Sequence, residues 1–174
     1  MPYISTDDQQ KLYYEESGRG PTLLFVHEFA GDYRSWEAQM RYFSRRYRCV
    51  AYSARGYLPS SVPESADDYS QWRVSEDIRC VLDALQVEKA HVVGLSMGAF
   101  ATLHFGMRYA QDPVQNRALT LTLAGCGTGS HPDVHETFKK DSAVLGASLI
   151  RDGMTQAGST YCHGPTRQIG RAHV

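Results

Sequence analysis

Short apolar runs alternate along the chain with longer stretches in which apolar side chains recur every three or four residues. Thr22–His27 (TLLFVH), Arg48–Ser53 (RCVAYS), Ala90–Leu95 (AHVVGL) and Ala118–Ala124 (ALTLTLA) are strand candidates. Several lack strict apolar–polar alternation, as expected of strands covered on both faces. Lys11–Ser17 (KLYYEES) is the most polar candidate and is expected as an edge or outer strand. Between these runs the spacing turns helical. Trp36, Met40 and Phe43 recur within Arg34–Tyr47, and Val74, Ile78, Val81, Leu82 and Leu85 form a stripe within Tyr69–Leu85. Met97–Tyr109 is apolar on most sides, through Phe100, Leu103, Phe105 and Met107. From Thr22 the order is strand, helix, strand, helix, strand, helix, strand, which predicts an α/β fold with a mostly parallel sheet and flanking helices. Gly125–Asp133 (GCGTGSHPD) is rich in turn residues, and Val134–Arg151 reads as a further helix with Phe138, Leu145 and Leu149 along one side.

The segment His91–Phe100 (HVVGLSMGAF) places Ser96 between Gly94 and Gly98, after an apolar strand and at the start of a helix. A strand that turns at once into a helix forces the residue at the turn into a strained conformation. Strand and helix then pass closely two residues to each side, where only small side chains fit. The serine is pushed out at the C-terminal end of a central strand, where parallel α/β sheets place their sites. The helix N-terminus beneath it offers free N–H groups to an oxyanion. The alternative for Ser96 is an ordinary helix-capping serine in a tight turn.

With that segment, two others carry a resemblance. Leu23–Gly31 (LLFVHEFAG) is similar to the strand and H-G-x-x-G loop of α/β-hydrolase fold enzymes. Ser53–Tyr57 (SARGY), followed by Pro59 and Ser60, looks like the same family's D-x-R-G-x-G-x-S turn. Over roughly Lys11–Gly129 the chain thus resembles the N-terminal part of the family, in its serine-nucleophile, esterase- or lactonase-like form. The resemblance implies Ser96 as catalytic nucleophile, the N–H groups of Phe29 and Met97 as the oxyanion hole, and Gly94 and Gly98 as elbow glycines. Glu28 stands where the family usually has glycine and is expected to face solvent. His27 is expected to be structural, bonded to loop backbone. Ser53 replaces the usual aspartate and Leu58 a small residue, in a turn that is structural in the family.

In such enzymes the acid and the histidine follow the nucleophile. After Ser96 the chain offers His104, His131, His135, His163 and His173. His104 lies about 12 Å along the helix that Ser96 opens and cannot serve. Asp133 with His135 or His163 is a conceivable relocated triad, and the i, i+4 pair His131 and His135 a conceivable metal site. The simpler expectation is that the triad is not complete within this chain: residues 1–129 are the first part of a hydrolase core, 130–167 the start of a cap, and 168–174 a non-native tail. Ile169–Val174 can be encoded ATC GGA AGA GCA CAC GTC, which resembles a widely used sequencing adapter; a genuine short tail is the alternative. Without later strands, Ala118–Ala124 would form an exposed apolar edge.

Charge and cysteine usage narrow the partners. Eighteen basic and 19 acidic side chains leave a net charge of −1, so composition gives no electrostatic footprint for nucleic acid and no polybasic patch for a membrane. The polar start MPYISTDDQQ does not read as a signal peptide, and no apolar run approaches a membrane span. Cys49, Cys80, Cys126 and Cys162 are widely spaced. They are expected to be reduced thiols in a cytoplasmic protein, the alternative being a zinc site or disulfide framework. The resemblance implies a serine hydrolase of esters, lactones or similar small acyl compounds, with no metal or organic cofactor. A cofactor-free perhydrolase or a carbon–carbon bond hydrolase uses the same serine framework, and a non-catalytic ligand-binding relative would keep the same cleft.

Overall fold

The apolar run Thr22–Val26, buried at all five positions, lies inside a six-stranded sheet because its neighbours cover both of its edges and helices cover both of its faces. The computed structural model describes residues 2–111, 116–127 and 129–164. The strands are β1 (Tyr3–Ser5), β2 (Lys11–Ser17), β3 (Thr22–Val26), β4 (Arg48–Tyr52), β5 (Ala90–Leu95) and β6 (Ala118–Ala124), in the order β1-β2-β4-β3-β5-β6. β4, β3, β5 and β6 run parallel, whereas β1 and β2 form an antiparallel pair that joins β4 antiparallel. The helices are α1 (Glu37–Phe43), α2 (Gln71–Ala84), α3 (Met97–Tyr109) and α4 (Pro132–Cys162). The chain divides into two compact units, residues 1–127 and 128–174.

The first unit has a core on each face of the sheet. Leu24, Val26, Val50, Tyr52 and Val92 pack with Ile78, Val81 and Leu82 of α2 and Phe105 of α3. On the other face Leu23, Phe25, Cys49 and Ala51 pack with Trp36 and Met40, and the Phe25 and Trp36 rings stack at 4.8 Å. Helix starts follow their caps: the Ser70 hydroxyl accepts from Arg73 N–H at 3.0 Å at the head of α2.

Three elements differ from the sequence pattern. β1 was too short to register as a period, and its pairing with β2 removes β2 from the edge of the sheet. The helix expected over Arg34–Tyr47 is a 3-10 turn at Tyr33–Trp36 followed by the short α1. Past Phe43 one further turn closes through Tyr47 N–H to the Phe43 carbonyl at 3.0 Å, and the turn through Gly18 and Gly20 lies against it: a Cβ on Gly18 would sit 2.2 Å from the Tyr47 carbonyl oxygen. α4, in the second unit, extends past the expected Arg151 to Cys162 and is broken at Gly153 (φ 73°, ψ 168°), a conformation glycine adopts without a Cβ clash. β6 has no strand on its far side among the described residues, and Leu119 and Leu123 are exposed along it. The tail expected at 168–174 lies outside the described residues.

The SARGY turn is held by a buried charge. Arg55, 2% exposed, spends all five of its N–H donors. Nε and Nη2 donate to the Asp77 carboxylate at 2.7 Å each, Nη1 and Nη2 to Asp8 at 2.8 and 3.1 Å, and Nη1 also to the Asp68 carbonyl at 2.9 Å. One guanidinium thereby joins the β1–β2 connection, the loop before α2, and α2 itself.

Asp77→Ala leaves two buried Arg55 N–H donors without acceptors, while Asp8 still balances the charge; it is expected to lower unfolding free energy by about 3 kcal/mol in denaturant titrations. Hydrogen bonding from Arg55 holds the Asp8 carboxyl well below its ordinary value of 3.8. The resulting stabilisation is full above that value and is lost as pH falls below it toward the lowered folded value. Asp8→Asn should therefore flatten the acid limb of a melting-temperature profile, while leaving the protein less stable at neutral pH.

Candidate active site

Because β3, β4, β5 and β6 run parallel in near register, their C-terminal ends lie along one edge of the sheet. Val26 pairs with Tyr52 on one side and Gly94 on the other, and Leu95 with Ala124. The three sequence motifs emerge at this edge, from the ends of β3, β4 and β5.

Ser96 connects β5 to α3 with φ 50° and ψ −112°. A non-glycine residue in such a region costs of order 1–3 kcal/mol and persists only where its surroundings enforce it. The enforcement is visible. The Ser96 N–H donates to the Ala124 carbonyl at 2.8 Å, and the Ser96 carbonyl accepts from Ala99 and Phe100 N–H at 2.9 and 3.1 Å. A Cβ on Gly94 would lie 2.2 Å from the Gly98 carbonyl oxygen, and one on Gly98 2.2 Å from that of Val26. Strand β5, helix α3 and the end of β3 are thus in backbone contact at the two glycines. The Ser96 hydroxyl makes no capping bond to α3, so the reading of Ser96 as a helix-capping serine is set aside by the structure.

The loop after β3 is organised around His27, which is fully buried. Its Nδ1–H donates to the Glu28 carbonyl at 2.8 Å and its Nε2 accepts from Ala54 N–H at 3.0 Å. Those two partners require the neutral ring protonated on Nδ1, and burial lowers its pKa in the same direction. The His27 ring meets the Tyr57 ring edge-on at 4.8 Å, and the Tyr57 hydroxyl reaches the Met97 sulfur at 3.6 Å. His27 and Tyr57 therefore tie the β3 loop, the β4 turn and the elbow together. Sequence reading placed His27 among structural residues but missed Tyr57, whose aromatic character within SARGY was the available signal.

Glu28 does not face solvent. It is half-buried, folded back over the Gly31 turn: Oε1 accepts from the Ser35 hydroxyl at 3.1 Å, and Oε2 is buried without a hydrogen-bond partner. The loop tolerates a residue with a side chain at this position because its left-handed conformation falls at Ala30 (φ 60°), not at Glu28. Phe29 and Met97 each lie three residues beyond the paired Val26 and Gly94. Their backbones thus leave adjacent strand ends, with the first turn of α3 pressed against the Val26 and His27 carbonyls. The Met97 N–H, at the first position of α3, has no intrahelical carbonyl to bond.

The other histidines have local roles. His104 is half-buried along α3. In the second unit, His131 Nδ1 accepts from Asp133 N–H at 3.3 Å at the head of α4, and His135 Nδ1–H donates to the Gly129 carbonyl at 2.8 Å. His163 Nδ1–H donates to the Ser159 carbonyl at 2.7 Å. Among the described residues no three His, Cys, Asp or Glu side chains cluster as a metal site. Cys49 and Cys80 are buried thiols, and Cys126 and Cys162 are free. His173 lies outside the described residues.

Comparison with known proteins adds the lineage. The family model for the alpha/beta hydrolase fold matches residues 21–161. Epoxide hydrolase 1 of Caenorhabditis elegans is 35% identical over 103 residues, 58% of this chain and 26% of the relative. The 3-oxoadipate enol-lactonase 1 of Acinetobacter baylyi is 34% identical over 90 residues, 52% of this chain and 33% of the relative. In fold, a solved mutant of a Bacillus megaterium epoxide hydrolase bound to its product superposes with a TM-score of 0.76 at 22% identity, covering 92% of this chain and 59% of that one. The chain thus spans less than two thirds of each of these three proteins. The matched family model, the six-stranded mostly parallel sheet and the strained serine between two glycines together make this chain a member of the α/β-hydrolase fold family.

Proposed function

We propose that the whole protein is a serine hydrolase of small acyl compounds, esters or lactones, and that this chain carries its nucleophile and oxyanion hole. Ser96 Oγ attacks the substrate carbonyl, and the Met97 and Phe29 N–H groups receive the developing oxyanion. The histidine that takes the serine proton, and the acid that orients it, are assigned to sequence outside residues 1–174. That assignment rests on the limited share of each relative that this chain covers. The observation that carries the reading is the Ser96 conformation, enforced by backbone contacts at Gly94 and Gly98 while the hydroxyl is not spent as a cap.

Nucleophile chemistry selects among the activities named for the relatives. Opening an epoxide with a serine oxygen gives an ether, which offers water no carbonyl to attack, so the enzyme would not turn over. An acyl substrate instead leaves an ester on Ser96, which water can cleave. The enol-lactonase relative, named for an acyl substrate, supports the same choice.

A fluorophosphonate probe applied to the whole protein should label it, and labelling should vanish in Ser96→Ala with esterase activity down on the order of a millionfold. Residues 1–174 alone should label only weakly. Undiminished labelling or turnover in Ser96→Ala would sink the proposal. Gly98→Ala should destabilise the fold by roughly 1–3 kcal/mol, because the added methyl meets backbone rather than a movable side chain; thermal melts of the variant would show it.

A further inference from the structure

The parallel sheet has a second edge, opposite Ser96, where the strands begin. There the turn between β2 and β3 carries Arg19, and the end of α1 with the turn before β4 carries Arg41, Arg45 and Arg46. The two segments are forced together. A Cβ on Gly18 would lie 2.2 Å from the Tyr47 carbonyl oxygen, and one on Gly20 2.7 Å from that of Arg46. Arg19 is thereby set beside Arg45 and Arg46. All four arginines are exposed. Among the described residues Arg19, Arg45 and Arg46 have no carboxylate within ion-pair distance. Arg41 has only the solvent-exposed Glu37 at 3.3 Å, and Glu16 is taken by Arg48. An exposed pair of that kind neutralises little. A chain of net charge −1 therefore presents a locally cationic surface that its summed charge conceals.

Two aromatic side chains sit among these arginines. Tyr42 is 63% and Phe43 37% exposed, with their rings perpendicular at 5.0 Å. The Arg45 guanidinium lies 4.8 Å from the Tyr42 ring centroid, and its Nε donates to the Tyr42 carbonyl at 3.1 Å. We propose that Arg19, Arg41, Arg45, Arg46, Tyr42 and Phe43 form a docking surface for an anionic phospholipid bilayer. Charge complementarity selects a polyanionic partner, and the aromatic arrangement selects lipid over nucleic acid. Successive bases stack on open, parallel ring faces, whereas Arg45 covers one face of Tyr42 and the Phe43 ring stands at 84° to it. An interfacial site uses what is present: apolar rings at headgroup depth with guanidinium groups beside them to meet the phosphates. The surface is remote from the elbow in the fold and does not depend on the hydrolase reading.

The test is flotation of the chain with vesicles of phosphatidylcholine alone and of phosphatidylcholine mixed with phosphatidylserine. Binding is expected only to the mixed vesicles, weakening with added salt and by about fivefold for each arginine removed. Arg45→Glu with Arg46→Glu should abolish it while the circular dichroism spectrum and melting temperature stay unchanged. Tyr42→Ser should weaken it without altering the salt dependence, and Ser96→Ala should bind as the parent does. Equal affinity for both vesicle types, retention of binding in the double glutamate variant, or binding to a single-stranded oligonucleotide with none to vesicles would each overturn the proposal.

Discussion

The first turn of α3 comes so near the end of β3 that no side chain fits between them, and the candidate site is a consequence of that approach. Gly98 touches the Val26 and His27 carbonyls, and Gly94 touches the Gly98 carbonyl. With both ends clamped, the one residue left to make the reversal is Ser96, and it does so at positive φ. The strain is maintained by tertiary packing: it requires β3, β5 and α3 to be docked together. The same docking leaves the head of α3, where the Met97 N–H has no intrahelical carbonyl to bond, beside the loop that carries Phe29.

Around this contact the remaining loops are held by polar groups with few degrees of freedom. His27 accepts one backbone N–H and donates to one carbonyl, so its ring orientation is set as firmly as a strand register. Tyr57 reaches from the β4 turn to both His27 and Met97. The β4 turn is in turn anchored by Arg55. A rigid frame of this kind suits a site in which donors must wait in position for charge that develops only during reaction.

Much of this was legible in the residues. The two-sided burial of β3 follows from an uninterrupted apolar run, and the elbow from glycines two residues either side of a serine. What escaped was set by contacts distant in sequence. Three residues of β1 show no period, yet pairing with Leu12 of β2 buries Ile4. The segment after α1 packs against a glycine turn from another part of the chain. Glu28 looked like a surface residue because its partner, Ser35, lies on the far side of a turn whose geometry depends on Ala30. A summed charge near zero could not reveal that four arginines gather at one edge, because that gathering is a property of the fold.

The Arg55 network makes the two margins of the sheet different in kind. At one margin, Ile4 is the only buried residue of β1, and the connection to β2 is fastened to the rest of the unit through Asp8 and Asp77. A lysine could not replace that arginine: three donors at a point cannot meet two carboxylates and a carbonyl spread over a plane. At the other margin β6 carries only alanine, leucine and threonine. One margin of this sheet is latched by buried charge, whereas the other is an open edge with Leu119 and Leu123 exposed along it, so acid should loosen the first margin selectively.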